Sequence, residues 1–173
     1  MLTSLRVQRL ATDKLRGRLI AGNAWFRCAL GAGGIGRKTR EGDGITPAGS
    51  HRLTGLWVRA GEKAPPRTKL PWRKISRIDG WCDDPGHRRY NRHVKLPIAG
   101  SSERLWRDDH IYDIVIETGW NCRPAIKGKG SAIFIHVART GFTPTAGCVA
   151  LHYTDLRRLL GMISSKTKVQ IAC

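Results

Sequence analysis

No stretch of this chain approaches the ~20 consecutive apolar residues that a membrane-spanning helix needs, which excludes a helical span. Met1–Leu10 is no secretory signal: it has no apolar h-region, and Arg6 and Arg9 interrupt it. Export would need another route or a leader upstream of Met1. Acidic side chains are scarce, 13 against 31 Lys and Arg, for a formal net charge of +18. Cysteine is sparse too: Cys28, Cys82, Cys122, Cys148 and Cys173, the last expected to be exposed. Five are too few for a disulfide scaffold, and an odd number leaves at least one thiol unpaired. No Cys-x-x-Cys pair supports a zinc ribbon. Internal repeats, low-complexity tracts and clear linkers are all missing. With 173 residues, 40% of them apolar, one domain spanning 1–173 with a proper core is expected.

The positive charge is spread along the chain. Residues 1–36 hold six basic and one acidic side chain, residues 37–95 fifteen and six, residues 96–173 ten and six. Such an excess predicts a polyanionic partner, and both phosphate backbones and carboxylate-rich wall polymers qualify. Trp72-Arg73-Lys74 and Arg88-Arg89-Tyr90 interleave aromatics with cations, as a single-strand nucleic-acid surface does. The Trp81–His93 stretch that holds the second cluster reads equally as a solvated substrate loop.

Short strand-like runs recur between turn signals. Leu2–Leu10 is the first. Arg18–Ala21 and Ala24–Leu30 flank Gly22-Asn23, a hairpin turn. His51–Val58, Ile111–Ile116, Ser131–Val137, Gly147–Leu151 and Lys168–Ile171 follow. Leu156, Leu159, Leu160 and Ile163 make one apolar stripe at helical spacing, with Thr154 as N-cap and Asp155 in the first turn. The region 60–91, rich in Pro and charge and including Pro65-Pro66, reads as a long irregular excursion. The expected fold is mainly β, sandwich- or barrel-like, with one or two helices.

Gly31-Ala32-Gly33-Gly34-Ile35-Gly36 matches the dinucleotide fingerprint literally. However, Arg37–Gly44 opens no amphipathic helix, and no acid stands ~20 residues on to bind a ribose. The run is read as a flexible turn, and Gly42–Gly49 as a tight one. Cys82, His87 and His93 lack the paired short spacing of a zinc site. The pair that carries chemistry is Cys148 and His136. Ser131–Val137 reads as a buried strand that delivers one imidazole, and the loop 138–146 is long enough to fold back. Cysteine needs such a partner because the thiolate is the nucleophile. His152 is the rival base, but it follows Cys148 in an apolar run where it need not face the thiol.

The residues around Cys148 resemble the YkuD-type L,D-transpeptidases, whose pattern is a histidine, a spacer, then Ser/Thr-His-Gly-Cys. His136, Thr145, Gly147 and Cys148 match it, and Thr46-Pro47-x-Gly49 matches an upstream element. Gly42–Pro47, Trp81–Pro85, Tyr90-Asn91, Gly130–His136 and Gly147–Leu151 resemble a divergent bacterial branch, over roughly residues 15–173. Ala146 stands where the second histidine is usual, Ala150 where Arg or Asn is frequent, and the spacer is short.

The resemblance implies a peptidoglycan transferase with Cys148 as nucleophile, His136 as base and Gly147 in the catalytic turn. The thiolate would attack the diaminopimelate–D-alanine carbonyl of a stem tetrapeptide. Backbone N–H groups of Gly147 and Cys148 would hold the oxyanion. A second stem's amine, a D-amino acid or water would then take the acyl group. Thr145, Arg139, Asp83 and Asp84 are the substrate-binding candidates: Arg139 for stem carboxylates, the two aspartates for an acceptor amine. No cofactor and no metal is required, and carbapenems are the expected covalent inhibitors. The implied location is the cell envelope, with the cytoplasm left open by the missing signal. Two rival classes are a basic nucleic-acid-binding protein and a glycan-binding module with a decayed site.

Overall fold

The computed structural model describes residues 1–61 and 67–172. Pro65-Pro66 and Cys173 lie outside the described residues.

In chain order, β1 (Ser4–Leu10), β2 (Asp13–Ala21) and β3 (Ala24–Ala29) form an antiparallel meander. β4 (Ile35–Gly36) and β5 (Thr46–Pro47) make a short parallel pair. β6 (Gly49–Arg52), β7 (Gly55–Arg59) and β8 (Trp72–Ile75) follow. β9 (Asp79–Cys82), β10 (Arg92–Lys95) and β11 (Ser102–Arg104) form a separate three-stranded sheet. β12 (Ile114–Glu117), β13 (Phe134–Val137), β14 (Val149–Leu151), α1 (Tyr153–Leu160) and β15 (Lys168–Ala172) close the chain. The main sheet runs β6-β15-β1-β2-β3-β14-β13-β12-β7-β8. Its first strand, β6, is joined to its ninth, β7, by Leu53 and Thr54 alone. The sheet must therefore curl until its ends meet.

The mainly β expectation holds. The Gly22-Asn23 hairpin forms, with Gly22 at φ 61 as a tight turn requires. The helical stripe is real: Leu156, Leu159 and Leu160 are fully buried against the sheet, each gaining roughly 1.5–3 kcal/mol by leaving water.

Three readings need correction. Thr154 is not the N-cap. The helix starts two residues earlier than that cap implies, His152 takes the cap position, and the Thr154 hydroxyl meets His152 Nδ1 at 2.9 Å. His51–Val58 is two strands, because the backbone changes partner midway. Leu53 N–H donates to Thr167 and Thr54 N–H to Glu117. The region 60–91 is not irregular throughout, since β8 and β9 lie in it. Trp72, Arg73 and Lys74 are exposed on β8, an edge strand, where charge blocks unwanted pairing and hides the strand's alternation.

Alternation across the main sheet creates two cores. Leu56, Val58, Ile114, Ile116 and Ile135 face α1. Trp57, Val115, Phe134 and Cys148 face the other way, with Trp81 of the small sheet, Leu105 and Tyr112. Among the described residues no helix is long and apolar enough to cross a membrane.

Candidate active site

β13 sends Ile135 into the helix-side core and so turns Phe134 and His136 to the opposite face. β14 runs parallel to it, with Ile135 opposite Val149 and His136 opposite Ala150. Cys148 immediately precedes β14 and so falls opposite Phe134. The Phe134 N–H donates to Cys148 Sγ at 3.3 Å, and the thiol donates to the Ala132 carbonyl at 3.2 Å. Thiol and imidazole thus share one face, offset by two residues. Among the described residues no hydrogen bond joins them. His136 Nδ1 lies 2.9 Å from the Val137 carbonyl oxygen. A carbonyl only accepts, so Nδ1 carries the proton and Nε2 keeps its lone pair. The Tyr112 ring packs edge-on against the imidazole, 5.1 Å between centroids.

The turn before Cys148 is held from inside. The Thr145 hydroxyl donates to the Cys148 carbonyl at 2.7 Å and accepts the Gly147 N–H at 3.1 Å. Gly147 sits at φ 134, and a Cβ there would lie 2.8 Å from the Ile45 carbonyl oxygen. Both constraints demand glycine. The two glycine-rich runs read as turns are the brace behind this loop. Gly31 pairs with Thr145, and its N–H donates to the buried Thr46 hydroxyl at 2.8 Å. Asp43 accepts from three backbone N–H groups and binds Lys38 at 2.6 Å. Burial pushes the Asp43 pKa up, but the Lys38 ammonium and those N–H groups win and hold it at about 2.

Cys148 and His136 line a cleft of about 420 Å³ together with Thr145, Arg139 and Asp83. Arg139 is paired with Asp109 at 3.1 Å, and Asp109 also holds Arg107 at 2.8 Å. Asp83 Oδ1 is buried and accepts no hydrogen bond among the described residues. Asp84 is not at the cleft and accepts the Gly86 N–H at 2.7 Å in its own turn. Gly147 shapes the loop from behind the cleft, with its N–H committed to Thr145. The Cys148 N–H makes no hydrogen bond among the described residues. His152 is exposed and outside the cleft.

Sequence reasoning missed Lys38, Glu103, Arg107 and Tyr112, which also line the cleft. Lys38 comes from one segment and the other three from the single stretch 103–112, and none sits in a recognisable pattern. Tyr112 donates to Glu103 at 2.7 Å, and burial raises the Glu103 pKa. Asn91 carries no role that the Tyr90-Asn91 motif alone reveals. It is a buried hub that accepts from the Trp81 indole at 2.9 Å and from the Ala132 N–H at 3.1 Å. It also donates to the Trp120 and Asn121 carbonyls. Asn91 therefore fixes Ala132, the residue whose carbonyl holds the thiol.

Burial dominates the electrostatics. It pushes the Cys148 pKa up to about 12, with Glu103 adding to the rise and the Phe134 N–H opposing it. It drives the His136 pKa down to about 4, against the Val137 hydrogen bond. Both groups therefore rest neutral. Burial also raises Cys28 to about 12, but unlike Cys148 it is packed in the helix-side core and does not reach the cleft. The four described cysteines are all free. Among the described residues no three His, Cys, Asp or Glu cluster to hold a metal. His93 instead bonds Asp79, and His87 accepts from Arg89.

Residues 9–171 match the model of YkuD, the L,D-transpeptidase catalytic domain. The chain belongs to that family. No curated protein matches it. The matched span runs from the end of β1 into β15, so every element from β2 to α1 and the whole cleft fall inside the YkuD domain. The family's chemistry is peptidoglycan cross-linking, and the polar cleft at the ends of β13 and β14 is where this YkuD domain gathers reactive groups.

Proposed function

We propose that this YkuD domain is a peptidoglycan L,D-transpeptidase with Cys148 as acyl-accepting nucleophile and His136 as base. The observation that carries the reading is the shared cleft: a thiol and an imidazole on one face, with the imidazole's Nδ1–H fixed on Val137 and its Nε2 lone pair unused.

The resting proton belongs on sulfur, because the thiol's pKa of about 12 lies far above the imidazole's of about 4. A standing thiolate–imidazolium pair is disfavoured. The proton instead moves to His136 Nε2 as the sulfur attacks the carbonyl between diaminopimelate and the terminal D-alanine. The oxyanion takes the Cys148 N–H. The Gly147 N–H joins only if it leaves Thr145. Collapse breaks the C–N bond, His136 returns the proton to the leaving amine, and D-alanine departs. The Cys148 thioester then passes the acyl group to an amine, through the same base, or to water. The cleft's mixed charges suit a zwitterionic stem: Arg139 can trade Asp109 for a substrate carboxylate, and the unsatisfied Asp83 oxygen suits an ammonium. Such a substrate puts the activity in the cell envelope.

The test is incubation with disaccharide-tetrapeptide and mass spectrometry. Wild type should release D-alanine and form dimers or hydrolysed tripeptide, while Cys148→Ala should do neither. A carbapenem should add covalently at Cys148. Equal behaviour of the two proteins, with no thioester on either, removes the reading.

A further inference from the structure

Most of the positive charge lies outside the cleft. A second pocket, about 860 Å³, opens between β6 and the segment 119–130. Trp120 lines it, half-buried, with the His51 ring edge-on at 5.5 Å and Lys129 Nζ 5.7 Å from the indole centroid. Arg52 and Arg123 are exposed on its wall, and no acidic residue lines it. Among the described residues Arg52, Arg123 and Lys129 form no ion pair. In the cleft, by contrast, Lys38, Arg107 and Arg139 are all paired. The buried Trp120 indole N–H also makes no hydrogen bond among the described residues. Thr54 borders both this pocket and a further one of about 440 Å³ that holds Trp57, Trp72 and Arg73. The acid there, Glu117, is occupied by the Trp57 indole and the Thr54 hydroxyl.

We propose that the Trp120 pocket binds an anionic glycan strand, with the pocket across Thr54 extending the track. A half-buried indole offers a flat apolar face to a sugar ring. Three unpaired cations around it select carboxylate-bearing sugars over neutral ones. Two adjoining pockets suit a polymer better than a small molecule. The segment that builds the pocket ends at Gly130, and the next residue, Ser131, lines the cleft. Asn91 holds the Trp120 carbonyl and the Ala132 N–H with one side chain, so pocket and cleft share a rigid support. A partly denuded strand held here by its free sugar carboxylates would raise the local concentration at Cys148 of the stem peptides still borne on its neighbouring sugars. This inference rests on the wall-polymer reading above.

The test uses the full chain and three probes at equal ionic strength: denuded carboxylated peptidoglycan glycan strands, neutral chitotetraose and a single-stranded DNA 12-mer. The variants are Arg52→Glu/Arg123→Glu, Trp120→Ala and Cys148→Ala. Both arginines are exposed, so their charge reversal leaves the core intact. The expected result is glycan binding that weakens at least tenfold in the double variant and in Trp120→Ala, and not in Cys148→Ala. Cross-linking of intact sacculi should fall about tenfold in the double variant, with turnover of soluble disaccharide-tetrapeptide unchanged. Glycan affinity untouched by the double variant overturns the proposal. Equal binding of chitotetraose overturns its charge selection. Tighter DNA binding with the same dependence makes the pocket a nucleic-acid site instead. Failure of wild type to process tetrapeptide removes the transpeptidase reading, while the binding result is read separately.

Discussion

The Cys148 cleft and the Trp120 pocket flank one segment of chain, yet they are built on opposite rules. In the cleft every cation has an acid partner, and the two reactive groups are buried so deeply that both rest neutral. In the pocket three cations have no acid at all. Desolvation explains part of the difference. The buried Lys38 must be paired, whereas the exposed Arg52 and Arg123 can wait for a partner from solution; Arg139, about half exposed, is paired without that compulsion. On the readings proposed above, the cleft moves a proton and the pocket holds an anion.

The sharpest way to break the comparison is at the base. His136→Ala should slow Cys148 acylation by roughly 10²–10⁴, the range of a positioned proton acceptor. His152→Ala should leave it within about twofold. A carbapenem acylation time course reads both, and a large loss at His152 alone would reassign the base.

Gly147→Ala should follow in size. Its positive φ alone costs of order 1–3 kcal/mol for a residue with a side chain, and the Ile45 carbonyl at 2.8 Å adds a clash. A melting temperature within a degree of wild type would show that the loop yields. Acylation should drop with it, because the same distortion moves Cys148. The double variant at Arg52 and Arg123 should change neither.

The neutral imidazole gives a pH signature with a definite sign. Folded His136 takes its proton only near about 4, and the unfolded chain near 6.5. Between these values the unfolded state binds more protons. Stability is full above 6.5 and falls as pH drops toward 4, by roughly 3 kcal/mol in all. Urea midpoints of wild type and His136→Gln across this window should diverge, with wild type losing more; His51, also lowered by burial, contributes a smaller loss to both. The acylation rate should likewise persist below pH 6 and fail near 4. Inflections at 6.5 in both would mean that His136 is solvated.

What the sequence revealed depended on whether a residue's role is local. The helical stripe, the hairpin at Gly22-Asn23 and the His136 strand are set by neighbours within a few positions, and they were legible. The β6–β7 break was not, because it depends on where Thr167 and Glu117 arrive from elsewhere in the chain. The cleft divides the same way. Cys148, Thr145 and His136 carry a motif, and Thr145 proves to hold the turn through its hydroxyl. Lys38 and the stretch that carries Glu103 and Tyr112 reach the cleft from far along the chain, outside any motif. The Gly31–Gly36 run shows the reverse failure: read as a flexible turn, it is locked by Thr46 and Thr145, since only tertiary contacts reveal the lock.

The smallest predicted effect separates the two kinds of cation. Arg139 is about half exposed and bonded to Asp109. Exposed pairs of this sort contribute about 0–1 kcal/mol to stability, so Arg139→Ala should barely move the melting temperature. If Arg139 exchanges Asp109 for a stem carboxylate, the loss appears in KM, of order a few-fold, with kcat nearly unchanged, because such a contact is made equally in ground and transition states. Asp109→Asn should then lower KM, since it frees the arginine. The same change should not alter glycan binding at the Trp120 pocket, whose cations have no acid to be freed from. Tetrapeptide kinetics of the two variants decide it: a matching fall in kcat would make Arg139 part of the transition-state machinery, and parallel losses in both would reduce the pair to a structural clasp.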